Sequence, residues 1–141
     1  MGSWNVLETI AIADCALEIR GGDLDDLFTT AARALADVMV DPDTVSRDVE
    51  RTLALGTHAL DLLFHEWLSE LIFVKDSERL VFPEATVSVR PVPPGLTARL
   101  IGGRIDPPRT VLRADPKAVT FHQFVVEPRG TEWYARVVID I

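Results

Sequence analysis

The sequence predicts an α+β domain in two layers, a sandwich of two amphipathic helices packed on a mainly antiparallel sheet. Three observations predict it. Two stretches in the first half repeat apolar residues at the spacing of a helix face: Leu24, Leu27, Phe28, Ala31, Leu35, Val38 and Met39, then Leu60, Leu63, Phe64, Trp67, Leu68, Leu71 and Ile72. The second half changes character, into β-branched or apolar runs at Leu80 to Phe82, Ala85 to Val92, Leu96 to Ile101, Ala118 to Val126 and Trp133 to Ile141, separated by Pro, Gly and Asp clusters. At 141 residues and 48% hydrophobic, the chain has the size and apolar content of one domain, residues 1–141, with its own core.

Taken in order, Trp4 to Ala11 and Cys15 to Arg20 read as two short strands broken near Asp14, the second close to the alternation of a half-buried strand. Gly21-Gly22 makes a turn, and Asp23 is a good N-cap because its carboxylate can take an orphan N–H of the first helical turn. The helix that follows ends at Asp41-Pro42, since the residue before proline is pushed out of the α region. Ser46 to Leu55 is a strand with Val49, Arg51, Leu53 and Leu55 on one face, and Thr57 caps the second helix. Pro93-Pro94-Gly95 and Pro128-Arg129-Gly130 connect hairpins in the sheet.

Composition excludes several function classes. With 22 Asp+Glu against 14 Lys+Arg and a net charge of -8, the chain lacks the clustered cations that independent binding to a phosphate backbone requires. The single cysteine, Cys15, allows no intrachain disulfide and fits a reducing compartment. No basic, apolar N-terminal signal stands at the start, and His65, Glu66, Ser69 and Glu70 interrupt the most apolar stretch, so the expected location is the cytoplasm with no membrane span. There is no G-x-S-x-G elbow, and Cys15 has no neighbouring base in sequence, so nucleophilic catalysis has little support.

The chain closes on Val137-Val138-Ile139-Asp140-Ile141, a β-rich run that places Asp140 beside the α-carboxylate of Ile141. Two such anions call for a cation. A hard divalent ion takes carboxylate oxygens by preference, and Asp14, brought from far upstream, is the candidate third ligand. Calcium suits a flexible oxygen cage, and magnesium would keep more of its water. His58, Asp61 and His65 fall at metal-ligand spacing but opposite the apolar stripe of their helix, where polar residues belong anyway, and are read as a solvated face. Gly102-Gly103 precedes no helix and is a turn or bulge, not a phosphate cradle. In Lys117-Ala-Val-Thr-Phe-His122, a strand would turn Thr120 and His122 to one face.

Ala13-Asp14 before a strand, Leu62-Leu-Phe-His-Glu-Trp-Leu-Ser-Glu-Leu71, Asp106-Pro-Pro-Arg109, Lys117-Ala-Val-Thr-Phe-His122 and the final Val137-Val-Ile-Asp-Ile141 together resemble the archease family, nearly end to end and in the expected order. The resemblance implies a small α+β fold and a metal site at Asp14, Asp140 and Ile141, with Lys117 and His122 as neighbours. It also implies a function: an accessory protein, not itself the catalyst, that helps an RtcB-type GTP-dependent RNA ligase form its guanylylated intermediate and turn over repeatedly in tRNA splicing or RNA repair. RNA would be met only through the ligase. The residues leave open a stand-alone metal-dependent hydrolase using the same acidic cluster, and a purely structural interaction module. The chain departs from the family pattern in three places: Ala11-Ile12-Ala13-Asp14 stands for the usual His-Thr-Ala-Asp, Ala16 for a glycine, and Thr110 for the histidine after Asp-Pro-x-Arg. The changes at Ala11 and Thr110 each remove an imidazole.

Overall fold

A computed structural model describes residues 2–7 and 14–141. Its elements are β1 (Ser3–Leu7), β2 (Asp14–Gly21), α1 (Leu24–Met39), a 3-10 turn (Pro42–Thr44), β3 (Val49–Gly56), α2 (Leu60–Glu78), β4 (Leu80–Pro91), β5 (Pro94–Arg104), β6 (Ala118–Val119), β7 (Val125–Arg129) and β8 (Glu132–Asp140). The α+β prediction holds, and the antiparallel sheet is divided in two. One sheet runs β1-β2-β8-β6 with β7 also on β8, the other β3-β5-β4, and every pairing is antiparallel. Both helices touch strands of both sheets, which is how one core serves the two.

That core is the predicted one. Leu63, Phe64, Trp67, Leu68, Leu71 and Ile72 of α2 are buried against Leu27, Phe28, Ala31 and Leu35 of α1 and against Leu17, Ile19, Val137 and Ile139 of the larger sheet. Phe28 and Phe64 meet edge to face at 5.1 Å, a geometry that sets a positive ring edge on a negative face. Trp67 Nε1–H donates to Phe28 O at 2.9 Å, so the one polar atom of the largest core side chain is satisfied and locks α2 to α1. Among the described residues no helix is long and apolar enough to cross a membrane.

Asp23 caps α1 as predicted, its Oδ1 accepting from Asp26 N–H at 2.8 Å. The cap expected at Thr57 is not there: α2 starts from Ala59 without a side-chain cap bond. Thr57 Oγ1 instead accepts from Ala59 N–H at 3.1 Å and donates to Ala59 O at 3.0 Å, a local turn that competes with capping. The strand expected from Ser46 begins at Val49, because Ser46 and Asp48 bond to each other, at 2.6 Å, before the ladder starts. Leu80 to Phe82 and Ala85 to Val92 are one strand, β4, with a register shift between Val81 and Glu84. Gly102 lies in β5 opposite that irregularity, so the expected bulge belongs to its partner strand. The β4–β5 connection is Val92-Pro93, joined by a cis peptide, with Pro94 and Gly95 already in β5. Of the first predicted strand, residues 8–11 lie outside the described residues.

Ala118 to Val126 is the larger correction. β6 stops at Val119, and the strand resumes as β7 at Val125. Val119 opposes Ile139 and Val125 opposes Arg136, so this side advances six residues while β8 advances three, and three residues are extruded from the ladder. They leave as a turn through Phe121, His122 and Gln123, with Gln123 at φ 51° and Phe124 N–H donating back to Phe121 O at 3.3 Å. Thr120 and His122 therefore do not share a strand face.

Candidate functional site

β2 and β8 lie in register along their whole length, and at one end of the ladder Asp14 is directly opposite Asp140. Directly opposed residues on antiparallel strands have Cβ atoms about 5 Å apart, and like charges so placed destabilise the pair. Both residues are half-buried, and among the described residues neither carboxylate has an ion-pair partner. Ile141 follows Asp140 and packs partly buried against the core. Held opposite one another by the ladder, Asp14 and Asp140 offer oxygen donors only, a chemistry that would suit a hard divalent cation better than a soft or imidazole-seeking one. Among the described residues no group of three or more His, Cys, Asp or Glu side chains is placed to hold a metal ion. Cys15 follows Asp14 on β2, and burial raises its thiol pKa, which leaves it a poor nucleophile and a poor ligand.

Lys117 belongs to the same end. Its N–H donates to Asp140 O at 2.7 Å, Ala118 then pairs with Asp140, and its side chain is exposed. His122 does not. Thr120 N–H and Oγ1 both donate to Val138 O, at 3.0 and 2.9 Å, so the chain is already moving along β8 away from Asp140 when it turns out at His122. His122 is exposed on that turn, whose Gln123 O accepts from Arg136 Nε at 3.2 Å.

Two residues outside the predicted site, His65 and Lys75, build its surroundings. His65 is not part of a solvated face: its Nε2–H donates to Val119 O at 2.8 Å, since a carbonyl can only accept, and its ring stacks on Phe121 at 4.1 Å with 6° between planes. The tautomer so fixed leaves Nδ1 to accept from Ser69 Oγ, 3.5 Å away. Asp61 is exposed as expected, and His58, also exposed, precedes the helix altogether. Lys75, which no motif marked, is 6% exposed and is the buried cation of α2. Its Nζ reaches Asp115 Oδ1, Pro116 O at 2.5 Å and Asp76 Oδ1 at 2.7 Å. Three acceptors satisfy three ammonium protons. The segment so clamped, Asp115-Pro116, leads into Lys117 and the bond to Asp140. A signal for this role exists in the sequence: continuing the apolar spacing past Leu71 and Ile72 lands on Lys75, and a lysine on a buried stripe needs partners.

Thr110 is buried and structural. Its Oγ1 accepts from Asp106 N–H at 2.9 Å and its N–H donates to Asp106 O at 2.6 Å, closing the Asp106-Pro-Pro-Arg turn on itself. Ala11 lies outside the described residues.

By fold, the chain falls in a class of small α+β domains already seen in solved structures. It superposes on the solution structure of Methanobacterium thermoautotrophicum protein 1598 with a TM-score of 0.77 at 26% identity, over 99% of this chain and 98% of that one. The crystal structure of an archease from Thermotoga maritima, described there as a possible chaperone, has the same fold, with a TM-score of 0.68 at 19% identity over 97% and 98% of the two chains. Among curated relatives, the chain is 32% identical to the protein archease of Archaeoglobus fulgidus (92% of this chain, 93% of that one) and 30% identical to that of Methanosarcina barkeri (92% and 90%). A family model described as the archease protein family (MTH1598/TM1083) matches residues 4–141, and the chain belongs to the archease family.

Proposed function

We propose that this archease is a cytoplasmic accessory protein that activates an RtcB-type GTP-dependent RNA ligase, promoting ligase guanylylation and repeated turnover in tRNA splicing or RNA repair. It binds one divalent ion, Ca²⁺ ahead of Mg²⁺, through Asp14, Asp140 and Ile141. The observation that carries the reading is the in-register pair Asp14 and Asp140, two carboxylates at the end of a ladder with no ion-pair partner among the described residues. When bound, the ion would neutralise that pair and present a fixed positive charge at the domain's end. The chain's own part is to hold the donors. The β2–β8 ladder sets the carboxylate spacing, and Lys117 N–H, aligned by Lys75 through Asp115 and Pro116, ties Asp140 O in place. An acidic domain with these donors is suited to meet a basic, metal-using active site rather than RNA itself.

Asp14→Asn tests this. The substitution removes one negative charge and keeps the shape, so Ca²⁺ affinity by calorimetric titration should fall about tenfold or more, and stimulation of the ligase should fall with it while circular dichroism is unchanged. Equal calcium affinity in wild type and variant would count against the site. Turnover of a phosphoester by the chain alone would turn the reading to a hydrolase, and full stimulation by Asp14→Asn to an interaction module.

A further inference from the structure

We propose that the extruded turn after β6, together with the outer face of α2, is the docking surface of this chain for its protein partner, which meets it with an apolar cleft rimmed by Lys and Arg. The inference rests on the ligase reading above, and the partner so described is that ligase. Phe121 is 59% exposed and Phe73 62%, the two aromatic rings among the exposed large apolar side chains of the described residues. Phe121 is also rigid. One of its faces is stacked on His65, Phe124 abuts both rings edge-on at 5.5 and 5.8 Å, and His65 is held by Val119 O. The outer face of Phe121 is thus presented ready-made, so burying it in a partner costs little side-chain ordering.

Charge indicates the partner's chemistry. Glu66, Glu70 and Phe73 stand at i, i+4 and i+7 on α2 and share one face. Among the described residues neither glutamate has an ion-pair partner, in a chain where Glu50, Glu78, Glu84 and Glu127 each hold an arginine. Two free carboxylates beside an exposed aromatic ring match a cationic rim around an apolar pocket. A phosphate backbone does not suit this face. The extruded turn is continuous with the proposed metal end, because Ala118, three residues before Phe121, pairs with Asp140.

The test is the affinity of the purified RNA ligase of the same organism for the full chain, measured by biolayer interferometry on variants with unchanged circular dichroism. The Phe73→Ala/Phe121→Ala pair should bind about tenfold more weakly or worse, as loss of buried aromatic anchors does. Glu66→Lys/Glu70→Lys, confined to the helix surface, should do the same even where the turn variant folds poorly. Wild-type affinity in both pairs, with the wild type itself binding, overturns the surface and leaves the ligase reading standing. No binding by the wild type overturns both. Tight binding of a fluorescein-labelled single-stranded RNA by the chain alone, lost in Phe121→Ala, overturns the protein partner in favour of base stacking.

Discussion

Asp115 shows how much one contact can report at the scale of a residue. The hydrogen bond from Lys75 holds its carboxyl below the usual aspartate range, with the nearby charges of Lys75, Lys117 and Arg79 acting the same way. An aspartate depressed in the folded state stabilises fully above its unfolded pKa, about 3.9, and loses that contribution as pH falls through its lower native value. Asp115→Asn should therefore be slightly less stable than wild type at pH 7, by less than about 1 kcal/mol because the carboxylate is mostly in water. The two should converge as the pH drops below about 4, and urea midpoints measured from pH 7 to pH 2 check it. A sharper loss belongs to Gly102. A Cβ there would stand 1.9 Å from Val81 O and 2.7 Å from Phe82 Cα, both backbone, where β4 shifts register. Gly102→Ala should cost on the order of 3 kcal/mol in urea unfolding, since neither strand can step aside.

Among the elements, the helices were legible in the sequence and the break within Ala118 to Val126 was not, for one physical reason. A helix declares itself through local periodicity, so α1 was placed with its Asp23 cap and the buried stripe of α2 was placed residue by residue. Whether a β-rich run pairs throughout depends on the length of its neighbour, and β8 has three residues where Val119 to Val125 offers six. Nothing within Thr120-Phe121-His122 reveals that mismatch, so His122 was assigned to a strand face near the carboxylates and is found on the extruded turn. Asp14 and Asp140 could be grouped from the sequence through family resemblance, whereas Lys75 needed tertiary context to stand out. Its part is open to measurement. Lys75→Met should release Asp115 and Pro116, and the Lys117 amide, which donates to Asp140 O, should then exchange with solvent faster. Hydrogen exchange on that amide, with the Trp67 region as an unaffected reference, is the readout, and unchanged protection would mean the ladder alone holds Lys117.

For the whole molecule, net charge and shape act together. The core joins two sheets through two helices, while the surface carries a net charge of -8, an excess that destabilises a compact chain slightly and draws it toward cations. If the ligase is basic where it receives this domain, the field of the entire chain steers the encounter, and mobile ions weaken that steering over a Debye length of about 10 Å at 0.1 M salt. The association rate with the ligase should thus fall about tenfold between 50 and 300 mM KCl, while the dissociation rate, governed by close contacts, moves far less. Glu66→Lys/Glu70→Lys reduces the net negative charge by four units on one face and should flatten the salt dependence of association as well as raise dissociation. Phe73→Ala leaves the charge untouched, so its association should keep the wild-type salt slope and only its dissociation should quicken. Stopped-flow association at several KCl concentrations separates these behaviours, and a wild-type rate indifferent to salt would mean that the acidic surface serves solubility instead of steering.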